Sequence, residues 1–165
     1  PPPPPPSPGT SLTFTPVADA QTKSTSATTN YGTATSVRLR AGTTASPGDY
    51  RTYLRFSVSG IASTVTSAKL RLFVTDASAV GGSVFRTTGA WTETGLTWST
   101  QPATSGAALS TAGRTTVGQW VELDVTSAVT ANGTLDLGLT TSSTDSGIFS
   151  SREGANPPQL VVSTT

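Results

Sequence analysis

The 165-residue sequence contains no cysteine, no histidine and no methionine. Without cysteine there is no disulfide framework and no thiolate zinc site. Without histidine the chain lacks the commonest general base and the commonest transition-metal ligand. Charge is also sparse: Asp, Glu, Lys and Arg together make 12% of the residues, and the formal net charge is +1. That balance argues against a nucleic-acid protein, so a cationic site would have to be local. No apolar run reaches the 18 residues or more that a spanning helix needs. What is abundant is Thr and Ser, about a third of the chain. Thr suits a pleated surface through its branched Cβ, and a chain poor in Leu, Lys and Glu does not favour helices.

Residues 1–10 read PPPPPPSPGT. A proline run holds an extended polyproline II shape and acts as a stiff spacer. It has neither the charged start nor the apolar run of a signal peptide, so the chain reads as a piece of something longer. Residues 1–10 are therefore assigned as a Pro-rich linker, with a ligand for a proline-binding domain as the alternative. Residues 11–165 form one module.

From Ser11 onward, short apolar-alternating runs are separated by turn clusters such as Asn30-Tyr31-Gly32, Ser46-Pro47-Gly48 and Asn132-Gly133. Strands are predicted at 12–17, 36–40, 51–58, 67–75, 83–87, 119–125, 134–141, 147–151 and 158–163. That pattern gives an all-β fold, an antiparallel sandwich or barrel. One short helical turn is expected over Val125–Ala131, capped by Asp124 and ended by Gly133.

Three strands carry cations in phase. Strand side chains alternate faces. Val37 and Leu39 oppose Arg38 and Arg40; Leu54, Phe56 and Val58 oppose Arg51, Tyr53 and Arg55; Leu70, Leu72 and Val74 oppose Lys69, Arg71 and Phe73. Burying an unpaired guanidinium is prohibitive, so the apolar sets face the core. The later strands carry the opposite sign outward, with Glu122, Asp124 and Asp136. Two arrangements follow. If acidic and basic strands pair, the cations are consumed in cross-strand ion pairs. If the basic strands share a sheet, Arg38, Arg40, Arg55, Lys69 and Arg71 make one cationic platform with Tyr53 as its ring. Arginine forks match planar carboxylates, so such a platform suits an anionic polysaccharide.

Other candidates are read more plainly. Trp91 and Trp98, with Glu93 between them, anchor a loop in the core, with Glu93 accepting from backbone donors; one indole at the rim could instead stack on sugar. Arg152 either pins the chain to a neighbouring strand end or joins the cationic face. Asp19, Asn30, Asp49 and Asp145 are loop oxygens for a possible structural calcium, although no dense acidic motif exists. No carboxylate pair stands in a recognisable glycosidase setting, and nucleophile motifs are absent, so the chain is not read as an enzyme.

The segments TPVADA (15–20), TNYGTATSVRLR (29–40), RTYLRFSVSG (51–60), SAKLRLFV (67–74), WTETGLTWSTQPA (91–103), WVELDVTSAV (120–129) and SSREGANPPQLVV (150–162) line up in order. Together they resemble the DNRLRE, or disaggregatase-related, domain family, which overlaps carbohydrate-binding module family 96, over roughly residues 12–163. The resemblance implies a secreted β-sandwich of jelly-roll type that is non-catalytic and attached to polysaccharide-degrading enzymes or to surface proteins. Characterised relatives are linked to alginate, an acidic uronate polymer. The expectation is thus a monomeric carbohydrate-binding module. Its partners would be a polysaccharide ligand and a catalytic domain in the same chain, with no nucleic acid and no membrane. The alternative is a structural or adhesive spacer domain.

Overall fold

The computed structural model describes residues 9–165, so the expected Pro-rich linker, residues 1–10, lies outside the described residues apart from Gly9 and Thr10, and Thr10 already belongs to the first strand, opposite Thr164. Eleven strands are present: β1 (Thr10–Phe14), β2 (Ala18–Lys23), β3 (Ser36–Leu39), β4 (Tyr50–Val58), β5 (Val65–Asp76), β6 (Gly82–Thr88), β7 (Ala103–Ala112), β8 (Trp120–Asp124), β9 (Gly133–Thr140), β10 (Gly147–Ser150) and β11 (Gln159–Thr164). They form two antiparallel sheets. One runs β1-β11-β5-β10-β3, with β8 pairing β5 on its other side; the second runs β2-β4-β9-β6-β7. The chain crosses repeatedly from one sheet to the other, which gives the jelly-roll sandwich that the strand pattern and the resemblance imply.

The core lies where the alternation places it. Val37, Leu39, Leu54, Phe56, Leu70, Leu72, Leu123, Leu137, Leu139 and Leu160 pack between the sheets with almost no exposure. Each such side chain contributes about 1.5–3 kcal/mol on burial, an upper range that loss of chain entropy offsets. Between β8 and β9 the helical content is a single 3₁₀ turn, Thr126–Ala128. Asp124 Oδ1 accepts from the Thr126 backbone N–H at 2.9 Å, but the N-cap position is Val125, and the turn stops at Ala128, well short of Gly133, which opens β9. A second 3₁₀ turn spans Ser24–Ser26.

Two strands escape the pattern. β2 reads ADAQTK and has almost no apolar alternation, yet it is mostly buried because both of its faces are covered. β7 reads ATSGAALSTA and is mostly exposed at the sheet edge, so small residues suffice there. β7 is held by its ladder to β6, across a register shift between Val84 and Arg86.

Outside the sandwich lies a second, smaller apolar cluster. Ala18, Ala20 and Tyr53 on the outer face of the β2-β4 pair are covered by Trp91 and Leu96. The covering segment, residues 89–102, is the WTETGLTW stretch, and it sets what the outer face can present.

Candidate functional site

The single cationic platform does not form. β4 lies in one sheet, and β3 and β5 lie in the other. Arg55 therefore faces away from Arg38, Lys69 and Arg71. The pairing of acidic with basic strands accounts for two of these cations: β4 pairs β9 with Arg55 opposite Asp136, and β5 pairs β8 with Lys69 opposite Asp124. Arg55 donates to both Asp136 oxygens at 2.8 and 3.2 Å and to the Trp91 carbonyl at 3.0 Å. Lys69 Nζ reaches Asp124 Oδ2 at 2.5 Å. That ammonium, with the Thr126 donors, holds the Asp124 carboxyl down at about 2. Arg71 sits opposite Glu122, donates to Gln159 at 2.8 Å and stacks 4.8 Å from the Trp120 ring.

Tyr53 is not an exposed ring. It is 1% exposed, and its hydroxyl donates to Gln101 Oε1 at 3.1 Å. Alternation puts it correctly on the outer face, but residues 89–102 cover that face. Burial pushes its phenol pKa up. Gly138, opposite Tyr53 on β9, gives the ring its place, since a Cβ there would stand 3.2 Å from the ring.

Among the described residues seven cations form no ion pair; Arg71, Arg86 and Arg114 stand apart, and Lys23, Arg38, Arg40 and Arg51 lie near the start of β4. Lys23 Nζ lies 5.5 Å and Arg38 Cζ 4.9 Å from the Tyr50 ring centre. Arg40 meets Tyr50 through backbone bonds alone, and Arg51, next to Tyr50 in β4, turns to the other face, towards Trp98. Among the described residues none of these four forms an ion pair, whereas Arg55, Lys69 and Arg152 do. Two of them, Arg40 and Arg51, line a groove of about 340 Å³ on the five-stranded sheet, together with Asp49, Phe85, Thr104 and Thr140. Arg51 Cζ stands 4.7 Å from the centre of the Trp98 ring. Cations, hydroxyls and aromatic rings in one open depression are the chemistry of saccharide recognition.

The comparison with known families decides the class. The model of carbohydrate-binding module family 96 matches residues 10–164. The chain belongs to that family. A search of curated proteins finds no match. Family membership makes the chain a carbohydrate-binding module, and it makes the resemblance read from the ordered motifs correct.

Within the module, the tryptophan pair divides. Trp91 is buried beneath the covering segment, and its Nε1 donates to Asp136 Oδ1 at 3.2 Å. Trp98 is half-buried and leans on Arg51 at the groove. Glu93 accepts the Asp19 backbone N–H at 3.0 Å, as its reading as an acceptor of backbone donors requires. Arg152 takes the structural role. Its Nη1 donates to Glu93 at 2.9 and 3.1 Å and to Glu153 at 3.1 Å, and its Nε donates to the Pro16 carbonyl at 3.3 Å.

The four suggested calcium oxygens do not converge. Asp49 accepts from the Gly42 N–H, Asp145 from the Ala79 N–H, and Asn30 spends its amide on the carbonyls of Glu93 and Leu96. A different trio does meet: oxygens of Asp19, Glu93 and Glu153 lie within 4.8 Å of one another. These are the residues that could hold a cation. The Arg152 guanidinium already donates to two of them, so the positive charge a calcium ion would bring is supplied from within the chain. The trio therefore fits a structural calcium poorly.

Proposed function

We propose that the module is non-catalytic and holds a secreted polysaccharide-active enzyme on its substrate, an anionic polymer of the uronate type. The catalytic domain is the partner in the same chain, joined through the Pro-rich segment, and the module works as a monomer. Linkage turns each later encounter of enzyme and polymer into an intramolecular one at raised effective concentration, which matters most on insoluble or gelled substrate.

The observation that carries this reading is the groove in which Arg40 and Arg51, neither of them in an ion pair, stand beside Phe85, Thr104 and Thr140, while Arg55 and Lys69 are neutralised across their sheets. The experiment is an affinity-gel panel of alginate, pectate and hyaluronan beside cellulose and an α-glucan, run over a salt series. Retention is expected on the anionic gels and should weaken with salt, since exposed charge contacts are screened within about 8 Å at physiological ionic strength. Retention on the neutral gels alone would overturn the uronate reading. Retention on none would leave the spacer-domain reading in its place.

A further inference from the structure

We infer that the groove on the outer face of the five-stranded sheet receives a single uronate residue of the polymer. Its carboxylate would sit on Arg51 and the less polar face of its ring on Phe85. The inference rests on the anionic-polymer reading and adds the place and the contacts.

The volume, about 340 Å³, falls at the lower end of small-ligand sites, roughly 300–1,000 Å³. The sheet supplies its floor. Phe85 on β6, Gly138 on β9 and Tyr53 on β4 stand in one cross-strand row, and Tyr53 is covered by residues 89–102. Phe85 therefore presents aromatic surface to the groove, which Tyr50 also lines. It is half-buried, while its neighbour Val84 points into the core. Beside that row stand Arg51 and Thr140.

Arg51 has the right state for a carboxylate. It forms no ion pair, and Trp98 fixes the plane of its guanidinium from one side. A fork held in place loses less freedom on binding, and its donors match a planar carboxylate two at a time. Arg40 adds a second charge at the rim. Its Nη2 is tied to the Ser46 carbonyl and hydroxyl, which steadies the side chain and leaves its other donors available. Sugar hydroxyls would meet Thr104, Thr140 and the Asp49 oxygen that is not taken by the Gly42 N–H.

The opposite outer face, with Arg71 and Trp120, is the competing location. It is less suited, because Arg71 is bonded to Gln159 and lies opposite Glu122, while Trp120 is packed edge-on against Phe73 and capped by Arg71.

The test is a titration of ¹⁵N-labelled module with a mannuronate tetramer, with trigalacturonate and with maltotetraose as the neutral control. Shifts should concentrate at Arg51, Phe85, Thr104 and Thr140 with the uronates and stay small with maltotetraose. Arg51→Gln and Thr140→Val should each weaken uronate binding, the first by about tenfold or more as a charge-assisted contact is lost. Arg71→Gln should leave it unchanged. The spectra report folding of every variant directly, and the wild-type shift map needs no variant. Uronate binding whose shifts fall around Trp120 and weaken in Arg71→Gln would overturn the groove and keep the anionic ligand. Shifts in the groove with maltotetraose alone would keep the location and overturn the uronate. Binding of no oligosaccharide would overturn both.

Discussion

Arg55 and Asp136 meet head-on across β4 and β9, with Nε on Oδ1 at 2.8 Å and Nη2 on Oδ2 at 3.2 Å. Trp91 completes the unit: Arg55 donates to its carbonyl and lies over its ring, and its indole N–H shares Asp136 Oδ1. The pair thus clamps residues 89–102 onto the sheet, and both side chains are largely shielded from water. Arg55→Gln should lower stability by about 1.5–3 kcal/mol, the range for hydrogen bonds to charged groups. Lys69→Gln, which breaks an exposed pair, should cost under about 1 kcal/mol. Denaturant unfolding of both variants checks the ordering, and equal costs would refute it.

Tyr53 is an anchor under the covering segment, so its loss should appear as instability. Tyr53→Phe removes the hydroxyl that bonds Gln101 and stands beside Arg51, and should cost about 1 kcal/mol. Tyr53→Ala opens a cavity and should cost about 3–5 kcal/mol, as for other large aromatic truncations. Folded Tyr53→Phe should bind polysaccharide like the parent. A variant that keeps its melting temperature and loses gel retention would return Tyr53 to the ligand.

The sandwich was legible because its strands obey period two. Val37 to Leu39, Leu54 to Val58, Ala68 to Val74 and Leu135 to Leu139 all point inward as the alternation demands. Which strands share a sheet is not written in that alternation. Arg38 and Arg55 look equivalent in their own strands, yet they end on opposite sheets because pairing is settled by chain crossings of long range. The Tyr53 ring was misplaced for a related reason. Alternation distinguishes the two faces of a sheet, but it cannot tell whether a distant loop lies on the outer one. Lys23, Tyr50 and Arg51 carried a signal that could have been used: Arg51 was already in the outward set, one residue from a tyrosine. Phe85 had no such signal, since its cross-strand partner is Gly138 on β9, far along the chain.

Gly32 should be intolerant of any side chain. A Cβ there would lie 2.2 Å from the Glu93 carbonyl oxygen and 2.9 Å from its carbon, and these are backbone atoms that no rotamer change can move aside. The same carbonyl accepts Asn30 Nδ2 at 2.7 Å, which fixes residues 89–102 from the other side. Gly32→Ala should cost about 1–3 kcal/mol through overpacking. It should also loosen the segment that carries Trp98 to Arg51. Chymotrypsin cleavage after Trp91, Leu96 or Trp98 should then become faster than in the parent, and an unchanged cleavage rate would count against the anchoring role.

Asp19 makes the module's stability depend on pH across an ordinary range. It is 1% exposed; its Oδ2 accepts the Arg152 N–H at 2.8 Å, and Glu93 and Glu153 stand beside it. Burial raises its pKa from 3.8 to about 7; the Arg152 N–H opposes this, and the Glu153 and Glu93 charges add to it. The folded chain therefore holds this proton more tightly than the unfolded chain. Between about pH 4 and pH 7 the folded state binds more protons, so stability falls as pH rises. The contribution is complete below 3.8 and lost above about 7. With no histidine in the chain, no side chain of ordinary pKa titrates between pH 5 and 8 to mask it. Asp124, held at about 2 by Lys69, acts in the opposite sense but only at acid pH, below its ordinary value. The melting temperature should accordingly drop by several degrees from pH 5 to pH 8. Asp19→Asn keeps an oxygen for the Arg152 N–H and removes the titration. It should flatten the profile, match the parent near pH 5 and exceed it at pH 8. A parent profile that is flat over this window, or an Asp19→Asn profile as steep as the parent's, would show that Asp19 does not carry the proton.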